Sequence, residues 1–247
     1  MTLSVEEVCA QLSNAPYMTL EQAHRITSFI KTERLSSVLE LGFYHGVSTC
    51  YIANAVAEFD GKVVAIDKER GRTMDPNVEQ LLGRIGQRDR VEIYYEKTSY
   101  LWRMMRFLEQ QPTQRFDLCY LDGAHNWFVD GFAFYLVDKL LKPGGWIILD
   151  DLDFCYDNSH AMRGTDALAA MPKEERECLQ LRKVWELLIK TQPGYGNFRE
   201  ESNWAFAQKI SDSASGPPTI TTEVVVKEKH VGLGAALVKL GKRLGMR

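Results

Sequence analysis

The sequence predicts a doubly wound α/β fold, a mostly parallel sheet with helices on both faces, preceded by a helical segment and followed by a tail. Three observations carry this. From residue 37 onward, short and continuously apolar runs alternate with amphipathic ones, as strands covered by helices on both sides must. Acids and glycines collect just after the apolar runs, at Glu40 to Gly46, Asp67, Glu96 to Ser99, Asp122 to His125 and Asp150 to Asp153, where such a sheet presents its ligand crevice. The length of 247 residues, 45% hydrophobic and 26% charged, suits one sizeable core with appendages.

The elements follow in order. Thr19-Leu20-Glu21-Gln22 has the form of a capping box, and Leu20, Ala23, Ile26, Phe29 and Ile30 follow at helical spacing, so residues 1–36 read as a helical cap lying on the core. Residues 37–210 read as the α/β unit. Its strands are SVLELG, KVVAID, RVEIYYE, FDLCYLD and WIILDD, with helices STCYIANAVAEF, PNVEQLLGRI, YLWRMMRFLEQ and FVDGFAFYLVDKLLK between them. In the last of these helices Phe128, Phe132, Tyr135, Leu136 and Leu140 read as the buried stripe. Residues 152–166 have no clear period and read as a lid over the rim. Pro172 then opens a helix carrying Leu179, Leu181, Val184, Leu187 and Leu188, QPGYGNF ends it, and runs around Tyr195 to Phe198 and Trp204 to Ala207 pair as a closing hairpin. SDSASGPP starts a segment, 211–247, that reads as a linker and a basic amphipathic tail. There Leu233, Leu237, Leu240 and Leu244 share a helical face beside Lys239, Lys242, Arg243 and Arg247. Such a face suits a membrane surface, an acidic partner or contact between copies in a homo-oligomer.

Charge and cysteine usage narrow the partners. A net charge of -3 gives no global attraction to nucleic acid, so a small molecule is the expected partner. The five cysteines include no C-x-x-C pair and read as reduced thiols of a cytoplasmic protein. The N-terminus lacks the pattern of a signal peptide, and no apolar stretch approaches the ~18 residues of a membrane span.

The stretch V-L-E-L-G-F-Y-H-G-V-S-T, residues 38–49, puts an acid and two glycines at the tip of the first strand. It lacks the G-x-G-x-x-G turn that cradles a dinucleotide pyrophosphate. Together with Asp67, FDLCYLDGAHNW and LLKPGGWIILDD it resembles motif I and its companions in class I S-adenosylmethionine-dependent methyltransferases, over roughly residues 35–155. That resemblance implies a Rossmann-like methyltransferase sheet. It assigns the cofactor to Glu40, Gly42, Tyr44, Gly46, Ser48, Asp67, Thr98 and Asp122. Gly42 and Gly46 admit it because they carry no Cβ, Glu40 orients the loop or meets the methionine ammonium, Tyr44 and Ser48 lie at the methionine portion, Asp67 accepts the ribose hydroxyls and Thr98 holds the adenine edge. Trp102 and Trp127 are expected along adenine or acceptor.

Asp122, Asp150 and Asp151 are three carboxylates expected on one rim, where mutual repulsion calls for a divalent cation, and oxygen ligands favour magnesium or calcium over zinc, magnesium being the expected ion. The pattern resembles the metal-dependent O-methyltransferases of the catechol, caffeoyl-CoA and macrolide sugar types, which implies Asp122, Asp150 and Asp151 as metal ligands. The lysine that catechol-type relatives carry three residues after the first aspartate is replaced by His125, read as the general base. The function expected is transfer of a methyl group to a hydroxyl of a small sugar or phenolic natural product. Two alternatives stand beside it: a short-chain-type NAD(P)-dependent oxidoreductase, whose Y-x-x-x-K pair Tyr135 and Lys139 match in form, and a methyltransferase-like subunit that binds without catalysis.

Overall fold

The computed structural model describes residues 2–13, 15, 17–110, 116–160 and 162–212. The linker and tail read from the sequence at 211–247 lie, from residue 213 on, outside the described residues.

Seven strands form one sheet: β1 Ser37–Leu41, β2 Lys62–Lys68, β3 Val91–Glu96, β4 Phe116–Leu121, β5 Leu141–Leu149, β6 Tyr195–Glu201 and β7 Trp204–Lys209. Their order is β3-β2-β1-β4-β5-β7-β6. The first five run parallel, and β7 and β6 close the edge as an antiparallel hairpin. The order reverses between β1 and β4, which pair Leu41 with Leu121, so the loops leaving these strands open side by side into a crevice.

The helices are α1 Val5–Gln11, α2 Leu20–Glu33, α3 Val47–Val56, α4 Val78–Arg84, α5 Tyr100–Gln110, α6 Trp127–Leu140, α7 Asp166–Ala170, α8 Lys173–Glu177 and α9 Gln180–Val184. Helices α1 to α4 cover one face of the sheet with Val38, Leu118 and Tyr120, and α5, α6 and α9 cover the other with Leu39, Leu41, Cys119 and Leu121. This is the period-two alternation of strands buried on both sides. Among the described residues no helix is long and apolar enough to cross a membrane.

Helix α2 starts as the capping box predicts, with the Gln22 N–H donating to Thr19 Oγ1 at 3.2 Å and the Thr19 N–H to Gln22 Oε1 at 2.9 Å. Helix α1 has the same device at Ser4 and Glu7, but seven residues burying only Val5 and Val8 show no readable period.

Two readings change. In α6 the inward residues are Asp130, Gly131, Ala133, Phe134, Leu136, Val137 and Leu140, whereas Phe128, Phe132 and Tyr135 face solvent. The helix is apolar on both sides, so spacing alone did not choose the face. The single helix expected after Pro172 is broken at Cys178 and Leu179 into α8 and α9 and ends in a π-helical turn, Trp185–Ile189, which leaves Leu187 exposed.

Candidate active site

The loop leaving β1 turns through the left-handed region at Gly42 (φ +87°), Tyr44 (+49°) and Gly46 (+92°). The physical role of its glycines differs from the one expected. A Cβ on Gly42 would lie 2.0 Å from the Asp122 carbonyl oxygen, and one on Gly46 would lie 2.3 Å from Val78 Cγ2. The space is filled by protein. Gly42 lets the β1 loop touch the β4 loop across the crevice, and Gly46 lets α3 begin against α4.

Glu40 is fully buried behind the first turn of α3, where the hydroxyls of Ser48 and Thr49 donate to its two oxygens at 2.5 and 2.6 Å. The carboxyl orients the loop, and the Ser48 hydroxyl expected at the cofactor is spent on it. Burial, against the pull of those two donors, pushes Glu40 up to about 8. An acid raised in the folded state is ionised on unfolding, so its contribution to stability falls as pH rises from about 4.5 through about 8. Glu40→Gln, which keeps the shape without the titration, is therefore expected to gain in melting temperature over wild type across that window and to hold the gain beyond it. Thermal melts at stepped pH check this, and parallel curves for the two proteins would refute it.

Asp67 Oδ2 accepts the N–H groups of Phe43 at 2.9 Å and Tyr44 at 2.5 Å, and its Oδ1 accepts that of Lys68 at 2.5 Å. It anchors the β1 loop, and Oδ1, with a single donor, keeps lone-pair capacity for a further one. Tyr44 stands at the rim, edge-on to Tyr17 at 4.6 Å and to His45 at 4.5 Å. Thr98 is exposed in the turn after β3. The neighbouring rim acid, Glu96, is committed to an ion pair with Arg103.

Backbone hydrogen bonds join the strand ends in sequence: the Gly42 N–H to Ile66 O at 2.9 Å, Asp122 N–H to Leu41 O at 3.0 Å and Asp150 N–H to Leu121 O at 3.0 Å. On this frame Asp122, His125 and Asp151 converge, with ligand-capable atoms all within 4.8 Å of one another. His125, in the left-handed region at φ +54°, places Nε2 3.2 Å from Asp122 Oδ1 and 3.6 Å from Asp151 Oδ2. Burial disfavours the charged ring, but the Asp122 hydrogen bond and the two carboxylates outweigh it and raise His125 to about 9. Burial, then Asp122, raises Asp151.

Asp150 does not join this group. Its Oδ2 accepts the Tyr120 hydroxyl at 2.5 Å and its Oδ1 accepts the Asp151 N–H at 2.6 Å, and burial first, then Asp122 and Asp151, raise its pKa. Of the three carboxylates assigned to a metal, two meet in the crevice, and the third supports them from below.

The supporting contacts were not visible in the sequence. Asn203, at the tip of the β6–β7 hairpin, donates from Nδ2 to Asp151 Oδ1 at 3.0 Å, and its carbonyl accepts the Leu152 N–H at 2.9 Å. Beneath the β4 loop, buried Asp130 accepts the Tyr100 hydroxyl and, at 2.9 Å, the Asn126 N–H. The lid residue Phe154 packs on the His125 ring at 4.8 Å.

Trp102 and Trp127 take other places. Trp102 is exposed on α5 with the Arg106 guanidinium over its ring, and Trp127 lines a surface groove against α8 and α9. Tyr135 faces solvent on α6, ~12 Å along the helix from its start at the rim, so Tyr135 and Lys139 form no catalytic pair at the crevice.

The family model for a methyltransferase domain matches residues 39–152. No curated protein sequence matches the chain significantly. Among solved structures, the fold is similar to an O-methyltransferase from Bacillus cereus in complex with S-adenosylhomocysteine (19% identity, 83% of this chain and 90% of that one, TM-score 0.60). It is similar also to TomG, an O-methyltransferase of Streptomyces achromogenes involved in tomaymycin synthesis, in complex with S-adenosylmethionine (16%, 84% and 89%, TM-score 0.61). A third similar structure is the S-adenosylhomocysteine-bound methyltransferase PaMTH1 of Podospora anserina (16%, 83% and 86%, TM-score 0.58). At these identities the likeness speaks for the fold, and the family match covers the segment that builds the crevice from Glu40 to Asp151. Residues 39–152 thus match a methyltransferase-domain family model, on a fold similar to that of solved S-adenosylmethionine-dependent O-methyltransferases.

Proposed function

We propose that the protein transfers the methyl group of S-adenosylmethionine to a hydroxyl oxygen of a small acceptor, a sugar or phenol of a natural product, in the cytoplasm. The observation that carries this reading is the convergence of Asp122, His125 and Asp151 beside the turned β1 loop. The hydroxyl oxygen attacks the methyl carbon, the carbon–sulfur bond breaks, and its electron pair stays on sulfur to give the neutral thioether. The hydroxyl proton goes to the His125 imidazole in its neutral form, which prevails only above the value of about 9 that Asp122 and Asp151 impose on the ring.

The donor set fits a divalent cation. Two carboxylates and an imidazole within 4.8 Å suit a hard or borderline ion such as magnesium, held by Asp122 and Asp151. Bound there, the ion would lower the pKa of the acceptor hydroxyl and oppose protonation of His125. Asp150 keeps its neighbour's backbone in place, and Asn203 turns the Asp151 carboxylate toward the crevice, as outer partners of metal ligands do. Five unpaired cysteines suit a reducing compartment. The tomaymycin role printed for TomG favours a secondary-metabolite acceptor.

Release of S-adenosylhomocysteine is expected with a panel of phenolic and sugar hydroxyl acceptors and not with amine or carboxylate counterparts. Chelator is expected to suppress it and magnesium to restore it. Full turnover after metal removal would end the metal assignment, and turnover on amines alone would end the hydroxyl assignment.

A further inference from the structure

Helix α6 is apolar on both faces. One side is packed into the core, while Phe128, Phe132 and Tyr135, at positions i, i+4 and i+7, form a second stripe in solvent, with Phe128 69% and Phe132 54% exposed. A helix that is hydrophobic all round is normally covered all round. Leu187, 57% exposed, extends the stripe onto the next wall. With Trp127, Phe128, Pro172 and Cys178 it lines a groove of about 550 Å³ whose rim carries Glu174, Glu175 and Lys183. Trp127, Phe128, Phe132, Tyr135 and Leu187 are five of the ten large apolar side chains exposed among the described residues, so the exposure is concentrated rather than scattered.

We propose that this face binds a second copy of the same chain in an isologous dimer. A two-fold contact requires one surface to supply both halves of the fit, and this one does. Phe128 and Phe132 protrude, the groove beside Trp127 receives, and the rim holds both signs of charge, so Lys183 of each copy meets the carboxylates of the other. Four aromatic side chains, each roughly half exposed out of ~150–250 Å², offer about 400 Å² of apolar surface. Leu187 and the polar rim bring each copy toward the ~800 Å² per partner of a stable interface. A membrane surface would call for a basic rim, and two glutamates against one lysine are the reverse.

Light scattering coupled to gel filtration tests the proposal on the full chain. At tens of micromolar the wild type is expected at twice its 28.2 kDa chain mass, and Phe128→Glu/Phe132→Glu at the monomer mass with S-adenosylhomocysteine affinity unchanged. Leu187→Glu, on the opposite wall, repeats the measurement should the double variant fold poorly. A monomeric wild type, or a dimer that neither variant weakens, overturns the proposal.

Discussion

Asp122→Ala is expected to lower kcat/KM for methyl transfer by about three orders of magnitude while leaving S-adenosylhomocysteine affinity within a few-fold of wild type. The magnitude is that of losing the carboxylate that positions the base His125, together with charge stabilisation at the reacting oxygen. The selectivity follows from what the carboxylate does and does not hold. Its Oδ1 faces His125 at 3.2 Å, whereas the loop is fixed by the Asp122 N–H on Leu41 O and by Asp130 beneath Asn126. Neither anchor uses the Asp122 side chain, so truncation removes chemistry and leaves the loop in place. Product-release kinetics and calorimetry with S-adenosylhomocysteine read the two quantities separately. Undiminished turnover would remove Asp122 from the reaction.

Gly42→Ala should be the most damaging single methyl group on the rim. Its Cβ would meet the Asp122 carbonyl oxygen at 2.0 Å, the Asp122 carbonyl carbon at 2.7 Å and Gly123 Cα at 2.9 Å. All three are backbone atoms and cannot rotate away. Gly86 is the control, with a comparable φ of +68° but nothing within 4 Å of a Cβ. Gly86→Ala is expected to cost only the left-handed conformation, about 1–2 kcal/mol. Gly42→Ala adds the collision and should exceed ~4 kcal/mol, into the range where single substitutions are exceptional. For a chain of this size that is a drop of roughly 10 °C or more in melting temperature, accompanied by loss of S-adenosylhomocysteine binding as the loops part. Equal shifts for the two variants would mean that the loops are not in close contact.

The sequence was most informative where chain direction and chemistry coincide. Apolar runs ending in acids marked the carboxyl ends of β1, β2, β4 and β5, because a two-sided parallel sheet leaves polar residues nowhere else to go. It was least informative where adjacent residues diverge. Asp150 and Asp151 are equivalent as letters. Yet Asp150 still belongs to the strand ladder and turns to Tyr120, while Asp151 enters the left-handed region at φ +58° and turns to the crevice. Only the point where β5 stops decides between them. Asn203 is 52 residues from the carboxylate it holds, a distance that no local pattern spans. In α6 two apolar faces left the spacing undecided, and the inner one carries an acid, Asp130, that is tolerable there only because Tyr100 and the Asn126 N–H satisfy it.

The bonds from Gly42 to Ile66, Asp122 to Leu41 and Asp150 to Leu121 make the crevice edge a staircase in which each tread is nailed to the strand beside it. Its main chain has little freedom to rearrange around an incoming molecule. Adaptation to different acceptors therefore falls to the side chains mounted on the treads and to the segment above them. Chemistry at this edge can be altered one residue at a time while the steps stay where they are.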